Sequence, residues 1–167
     1  MTTLGIVACG ATKIWDVDPS SAGMVKARDA YVSAYARWKV RYAERFFDRW
    51  VILSGKYGFL DPDTLIENYD VRIKDRERTE LVLQLWGQVD QMNLLNGNTE
   101  VKVLGGKEYQ RIIKELFGEL GNIEFEVVCE GLAIGKAIRW LKHEVERVDR
   151  EAVDSFMKGV EKVVTPP

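Results

Sequence analysis

The chain has 167 residues, 46% of them hydrophobic and 30% charged, enough to bury one sizeable core and too few for two comfortable domains. A formal net charge of −2 excludes a surface coated in nucleic-acid affinity, although a local basic patch is compatible with it. No apolar span of about 20 residues and no basic-then-apolar leader is present, which predicts a cytoplasmic single domain over residues 1–167 with no membrane association.

Leu4 to Cys9 is an apolar run of strand length, and Asp16-Val17-Asp18-Pro19-Ser20-Ser21 after it is rich in turn formers. From Gly23 to Asp48 the residues Ala27, Tyr31, Ala34, Trp38, Tyr42 and Phe46 recur at helical spacing, which predicts one long amphipathic helix. Trp50 to Leu53 is a second buried strand. Lys56 to Asp70 follows as a loop too long for a plain connector, the kind that is commonly functional.

Arg76 to Val89 carries Leu81, Leu85 and Val89 in helical register, and Asn96-Gly97-Asn98 predicts the turn that ends it. Val101 to Leu104 makes a third strand. The next helix buries Tyr109, Ile112, Ile113, Leu116 and Phe117 and closes at Gly118 and Gly121. Phe125 to Cys129 is a fourth strand, Ile134 to Val148 a helix with a regular apolar seam, and Glu151 to Val163 a separate last helix.

Four strands separated by helices predict a three-layer α/β/α sandwich on a four-stranded parallel sheet with right-handed crossovers. The order 2-1-3-4 would set Cys9-Gly10 and Gly105-Gly106 across the crevice where ligands of open α/β sheets collect. Every strand exit sets glycine near lysine: Gly10 with Lys13, Gly55 with Lys56, Gly106 with Lys107, and Gly131/Gly135 with Lys136. Glycine lets backbone N–H groups approach a ligand and lysine adds a cation, a combination suited to a phosphate, a carboxylate or a polar heterocycle.

The Gly131 to Lys136 turn is not a Walker loop, because three residues separate its glycines where four are required and Ala137 stands where the hydroxyl should be. Two cysteines and a single histidine, His143, set in the charged run Lys142-His143-Glu144, supply no zinc site and no histidine triad, so neither metal nor cofactor is expected. Cys9, at a strand end close to Lys13, is the candidate nucleophile; Cys129 reads as packing. Among the rim carboxylates Asp70 is the candidate base, because Asp61 and Asp63 flank Pro62 as turn formers. Lys26 to Arg49 holds seven basic residues against three acidic ones, so a helix face with Arg37, Arg41 and Arg45 could track a phosphate backbone.

Cys9-Gly10-Ala11-Thr12-Lys13, Asp29-Ala30-Tyr31, Ile52 to Gly58, Asn68-Tyr69-Asp70-Val71 and Gly131 to Lys136 together resemble a family of small prokaryotic and phage proteins of unknown function, over Leu4 to about Leu141. More distantly, the Cys9/Lys13 spacing, Tyr31 with Ser33, Ser54 to Gly58, Pro62 and Tyr69-Asp70 are similar to the core domain of archaeosine synthase. That resemblance implies a uracil-DNA-glycosylase-like fold and a nucleobase in the crevice. The chain departs from that pattern at Ala8, at Ile14-Trp15-Asp16 and in having no histidine in the first helix, so the fold inference is carried further than the lysine-dependent transfer.

The expectation is therefore an enzyme that modifies, transfers or cleaves a nucleobase or nucleotide-like ligand, with Cys9, Asp70 and Lys13 catalytic. Gly10, Thr12, Tyr31, Ser54, Lys56, Tyr57, Gly105, Gly106, Lys107, Glu130, Gly131, Gly135 and Lys136 would bind the ligand. The alternative is a non-catalytic nucleotide- or nucleic-acid-binding module.

Overall fold

Residues 1–164, apart from 19, 22, 97, 98 and 119, are described by a computed structural model of the chain. Pro19 of the first loop, and Gly97 and Asn98 of the turn predicted before the third parallel strand, lie outside the described residues. The elements in order are β1 (Thr2–Ala8), α1 (Ile14–Val17), β2 (Val25–Lys26), α2 (Ala27–Ala30), α3 (Ala34–Phe46), β3 (Arg49–Ser54), β4 (Gly58–Leu60) and β5 (Leu65–Ile66). A 3₁₀ turn at Ile73–Asp75 precedes α4 (Arg78–Gln91), β6 (Thr99–Leu104), α5 (Lys107–Gly118), β7 (Glu124–Val127) and α6 (Ile134–Val164).

The main sheet runs β4-β3-β1-β6-β7, so the four parallel strands take the expected order with β1 at the switch point. Ile6 of β1 lies opposite Val51 on one side and Val103 on the other. Alternation along β1 sorts the two cores. Leu4 and Ile6 face α4 and α5 through Leu81, Leu85, Ile112, Ile113 and Leu116. Val7 faces the opposite layer, where Tyr42, Ala43 and Phe47 meet Leu141 and Val145 of α6.

Four expectations are corrected. The sheet has five strands, because β4 folds back antiparallel on β3 with Ser54 opposite Gly58 and Leu53 opposite Phe59. Gly58 takes a φ of +66°, the left-handed turn that lets the hairpin close. The stretch from Lys56 to Asp70 is thus not a long irregular loop. It also holds β5, which pairs antiparallel with β2.

The helix expected from Gly23 to Asp48 is broken. Tyr31 is extended, Ser33 is the N-cap of α3 with its Oγ accepting from the Ala36 N–H at 3.1 Å, and Val32 N–H donates to the Thr12 carbonyl at 3.1 Å. Backbone that a continuous helix would consume is spent here on pinning the exit of β1. The two helices expected after β7 are instead one 31-residue helix, since neither glycine nor proline interrupts the chain between Gly135 and Gly159. Among the described residues, no helix is long and apolar enough to cross a membrane.

Candidate functional site

The carboxyl ends of β1 and β3 deliver Cys9 and Ser54 to one rim of the sheet. β1 stops at Ala8, and Cys9 N–H makes a last bond to the Leu53 carbonyl at 3.1 Å before the chain turns away through Gly10. A cleft of about 400 Å³ opens there. One wall is the Cys9 to Lys13 exit, the second is the Tyr69 to Lys74 segment, and the third is Glu108 and Tyr109 from the first turn of α5. A second depression continues it past Lys13 and Asp70 to Asp16 and Asn68.

Two glycines make this geometry sterically possible. A Cβ on Gly55 would collide with the backbone carbonyl of Val71, so only glycine lets the β3 exit touch the segment that forms the second wall. A Cβ on Gly105 would come within 2.6 Å of the Ala8 Cβ, so its absence lets the first turn of α5 close on β1 and sets Tyr109 beside Cys9.

The polar chemistry is a cluster of hydroxyls around the sulfur. Cys9 Sγ lies 3.2 Å from the Tyr109 hydroxyl, Ser54 Oγ donates to the Tyr69 hydroxyl at 2.9 Å, and the Tyr69 and Tyr31 hydroxyls are 2.6 Å apart. Ser54 Oγ also accepts from Tyr57 N–H at 3.2 Å, which ties the β3–β4 turn to the same network. Burial, and after it the neighbouring Cys9 sulfur, push the phenols of Tyr69 and Tyr109 well above the ordinary tyrosine range. Both stay neutral near pH 7 and remain available as hydrogen-bond donors.

Cations surround this network unevenly. Lys13 Nζ sits 4.7 Å over the Tyr69 ring, and its backbone N–H is held by Asp16 at 2.7 Å. Arg72 is paired with Asp75 at 3.1 Å, and Glu108 with Arg78 at 3.3 Å, so these charges are already answered. Lys13, Lys74 and Asp70 make no ion pair among the described residues, which leaves two ammonium groups and one carboxylate free at the cleft. Beneath the floor, Lys39 of α3 is 3% exposed and donates from Nζ to the Ala8 carbonyl at 2.7 Å, with the Tyr35 ring 4.5 Å away. Burial lowers it to about 8. Sequence reading missed Lys39 because it stands among α3 residues that look like an ordinary charged face.

The other residues expected at the site are spread around the rim. Thr12 is exposed and gives its carbonyl to Val32. Tyr31 is buried behind the cleft wall, while Tyr57 stacks edge-on to Tyr69 with Lys56 5.1 Å above its ring. Gly106 is exposed, and Lys107 and Glu130 line a shallower depression on the far flank of α5. Gly131, Gly135 and Lys136 lie exposed beyond β7 and do not line the Cys9 cleft. Burial raises the thiol of Cys129 to about 11, and this cysteine packs against the α3/α6 core. On α3, Arg45 is bound to Asp149 at 2.8 Å and Arg41 lies over Trp38, which leaves Arg37 exposed. Among the described residues no group of three or more His, Cys, Asp or Glu side chains gathers where a metal ion could be held.

A family model described as "Family of unknown function (DUF6884)" matches residues 5–143. The chain belongs to that family. The matched residues contain every wall of the Cys9 cleft and stop inside α6. The chain is also similar to a protein of Bacillus subtilis (strain 168) described as "Uncharacterized protein YfjM", 37% identical over 147 residues that cover 87% of this chain and 97% of that relative. No solved structure matches. The family match thus spans the cleft without supplying a reaction.

Proposed function

We propose that the cleft binds a nucleobase or nucleotide-like ligand and that the protein is an enzyme using Cys9 as its nucleophile. The observation that carries this reading is the Cys9 thiol on the wall of a cleft of about 400 Å³ that also holds two neutral phenols, Tyr69 buried and Tyr109 partly so, and two ammonium groups that make no ion pair among the described residues. That size suits a small ring with an attached anionic group. Lys13 and Lys74 would take the anionic part, and Asp70 would accept from a ring N–H or a water. Sulfur would add across a ring C=N bond: the C–S bond forms, the π pair moves to the ring nitrogen, and the thiol proton passes to that nitrogen through the Tyr109 hydroxyl 3.2 Å from the sulfur. The uracil-DNA-glycosylase-like architecture implied by the motif resemblance belongs to this same proposal, and the sheet order with β1 at the switch point supports it.

The test is a thermal-shift screen against nucleobases including 7-deazaguanines, nucleosides, nucleotides and short oligonucleotides, followed by turnover assays on the hits. A ligand at 100 times its dissociation constant adds about 2.7 kcal/mol to native stability, a readily visible shift. Cys9→Ala is expected to lower turnover roughly a thousandfold or more and Asp70→Asn roughly a hundredfold, both without loss of ligand-induced stabilisation. Unchanged turnover in both variants overturns the roles. A shift by oligonucleotides alone, surviving Cys9→Ala and lost with Arg37→Ala, moves the reading to a strand-binding module.

A further inference from the structure

Past Asp149, α6 leaves the body of the molecule. The Arg45–Asp149 ion pair ties the helix to α3 at that point, and every described residue from 149 to 164 is exposed. This arm is nevertheless strongly amphipathic. Val153, Phe156, Met157, Val160, Val163 and Val164 recur at spacings of three and four on one face, with Phe156 69% and Val163 86% exposed. A solvated helix of this length is marginal in water, and a bare apolar stripe makes it more costly still.

We infer that the arm is a self-association surface whose occupant is the arm of a second copy of this chain, laid antiparallel against it. Self-complementarity supports this occupant. Phe156 projects from the stripe, while Gly159, three residues on, leaves a hollow bounded by Phe156, Val160, Val163 and Val164. A two-fold axis between these positions inserts each Phe156 into the partner's Gly159 hollow, the reciprocal contact that a symmetric dimer requires. Charge points the same way. Asp149, Arg150, Glu151 and Asp154 sum to −2, whereas Lys158, Glu161 and Lys162 sum to +1. Parallel arms set the acidic half directly against its like, whereas the antiparallel register moves Asp149, Arg150 and Glu151 away from their own copies and brings Asp154 next to Lys162 as well as Glu161 of the partner.

Area is also adequate: the exposed fractions of the six side chains correspond to roughly 600 Å² per chain, or about 1,200 Å² for the pair, the lower bound of a specific interface. The arm carries four acids and three bases, a net charge of −1, unlike the cationic face of a helix that lies on anionic lipid. The family match ends at residue 143, so this surface lies outside the matched segment that contains the Cys9 cleft.

The test is the solution mass of the full chain at about 50 µM by light scattering on a sizing column, with circular dichroism as the check on folding. The expected result is twice 19.1 kDa for the wild type. Phe156→Glu is expected to be monomeric, with the spectrum of the folded body retained and at most the helical signal of the arm reduced. Gly159→Leu is the sharper variant, since it adds helix propensity and apolar surface while filling the hollow. It is expected to weaken association at least about tenfold if Phe156 seats there. A monomeric wild type, a dimer that survives Phe156→Glu, or tighter association in Gly159→Leu overturns the inference. Co-sedimentation of a monomeric wild type with phosphatidylcholine/phosphatidylglycerol vesicles overturns it in favour of a lipid surface.

Discussion

Lys39 is the residue whose environment differs most from its appearance in the sequence. Its ammonium is held between the Ala8 carbonyl and the Tyr35 ring on the underside of the Cys9 exit, and burial lowers it to about 8 against an ordinary 10.5. Below pH 8 both native and unfolded chains carry the proton, and the penalty of a buried charge is fully present. Between 8 and 10.5 the unfolded chain binds a proton that the native state has lost, so native stability rises with pH across that window. Urea unfolding of the wild type relative to Lys39→Met is expected to show a gain on the order of 3 kcal/mol from pH 7.5 to 11. A flat difference would show that Lys39 stays hydrated. Substitution also removes the donor to Ala8, so the carbonyl at the end of β1 loses its partner at every pH.

At the scale of elements, the β4 edge explains how a short antiparallel strand persists beside the site. Its outer side has no neighbouring strand, and Gln88 of α4 supplies what a strand would. The Gln88 amide accepts from Phe59 N–H at 2.8 Å and donates to the carbonyls of Tyr57 at 2.8 Å and Phe59 at 3.2 Å. Leucine at this position fills similar volume but leaves these backbone groups unanswered. Gln88→Leu is expected to cost about 1–3 kcal/mol and to speed hydrogen exchange at Phe59 while leaving β1 and β6 protected. Equal loss of protection across the sheet would mean that the hairpin does not open on its own. Because β4 carries the turn bonded to Ser54, this contact reaches the cleft through the same hydroxyl network.

The whole molecule divides into a body and an arm, and the two should respond differently to truncated side chains. Leu85 is fully buried between α4 and the sheet, and Leu85→Ala is expected to cost about 2–5 kcal/mol in denaturant unfolding. Phe156→Ala removes a larger side chain from the arm. At dilute concentration it is expected to change the unfolding free energy of the body by less than about 0.5 kcal/mol. A comparable cost for both would place Phe156 in the cooperative core.

The sequence by itself determined the four parallel strands and the strand exits at which Cys9, Ser54 and Gly105 emerge, because buried strands announce themselves as short apolar runs. The order of those strands, and so which exits share a rim, came from the tertiary structure. It also contained the α6 seam, although a continuous helix and two successive ones share the same periodicity and only the absence of a breaker separates them. The tertiary structure alone decided the break at Tyr31 to Ser33, the strand at Gly58–Leu60, the burial of Lys39 and the grouping of Tyr31, Tyr69 and Tyr109 around the thiol. Apart from the β3–β4 hairpin, whose strand partners are near in sequence, each depends on partners 15 to 100 residues away, as Ser54 to Tyr69 and Cys9 to Tyr109 show. Local pattern records how a segment can bury its own apolar face, whereas these features arise from which distant backbone and hydroxyl groups that burial brings within hydrogen-bonding reach.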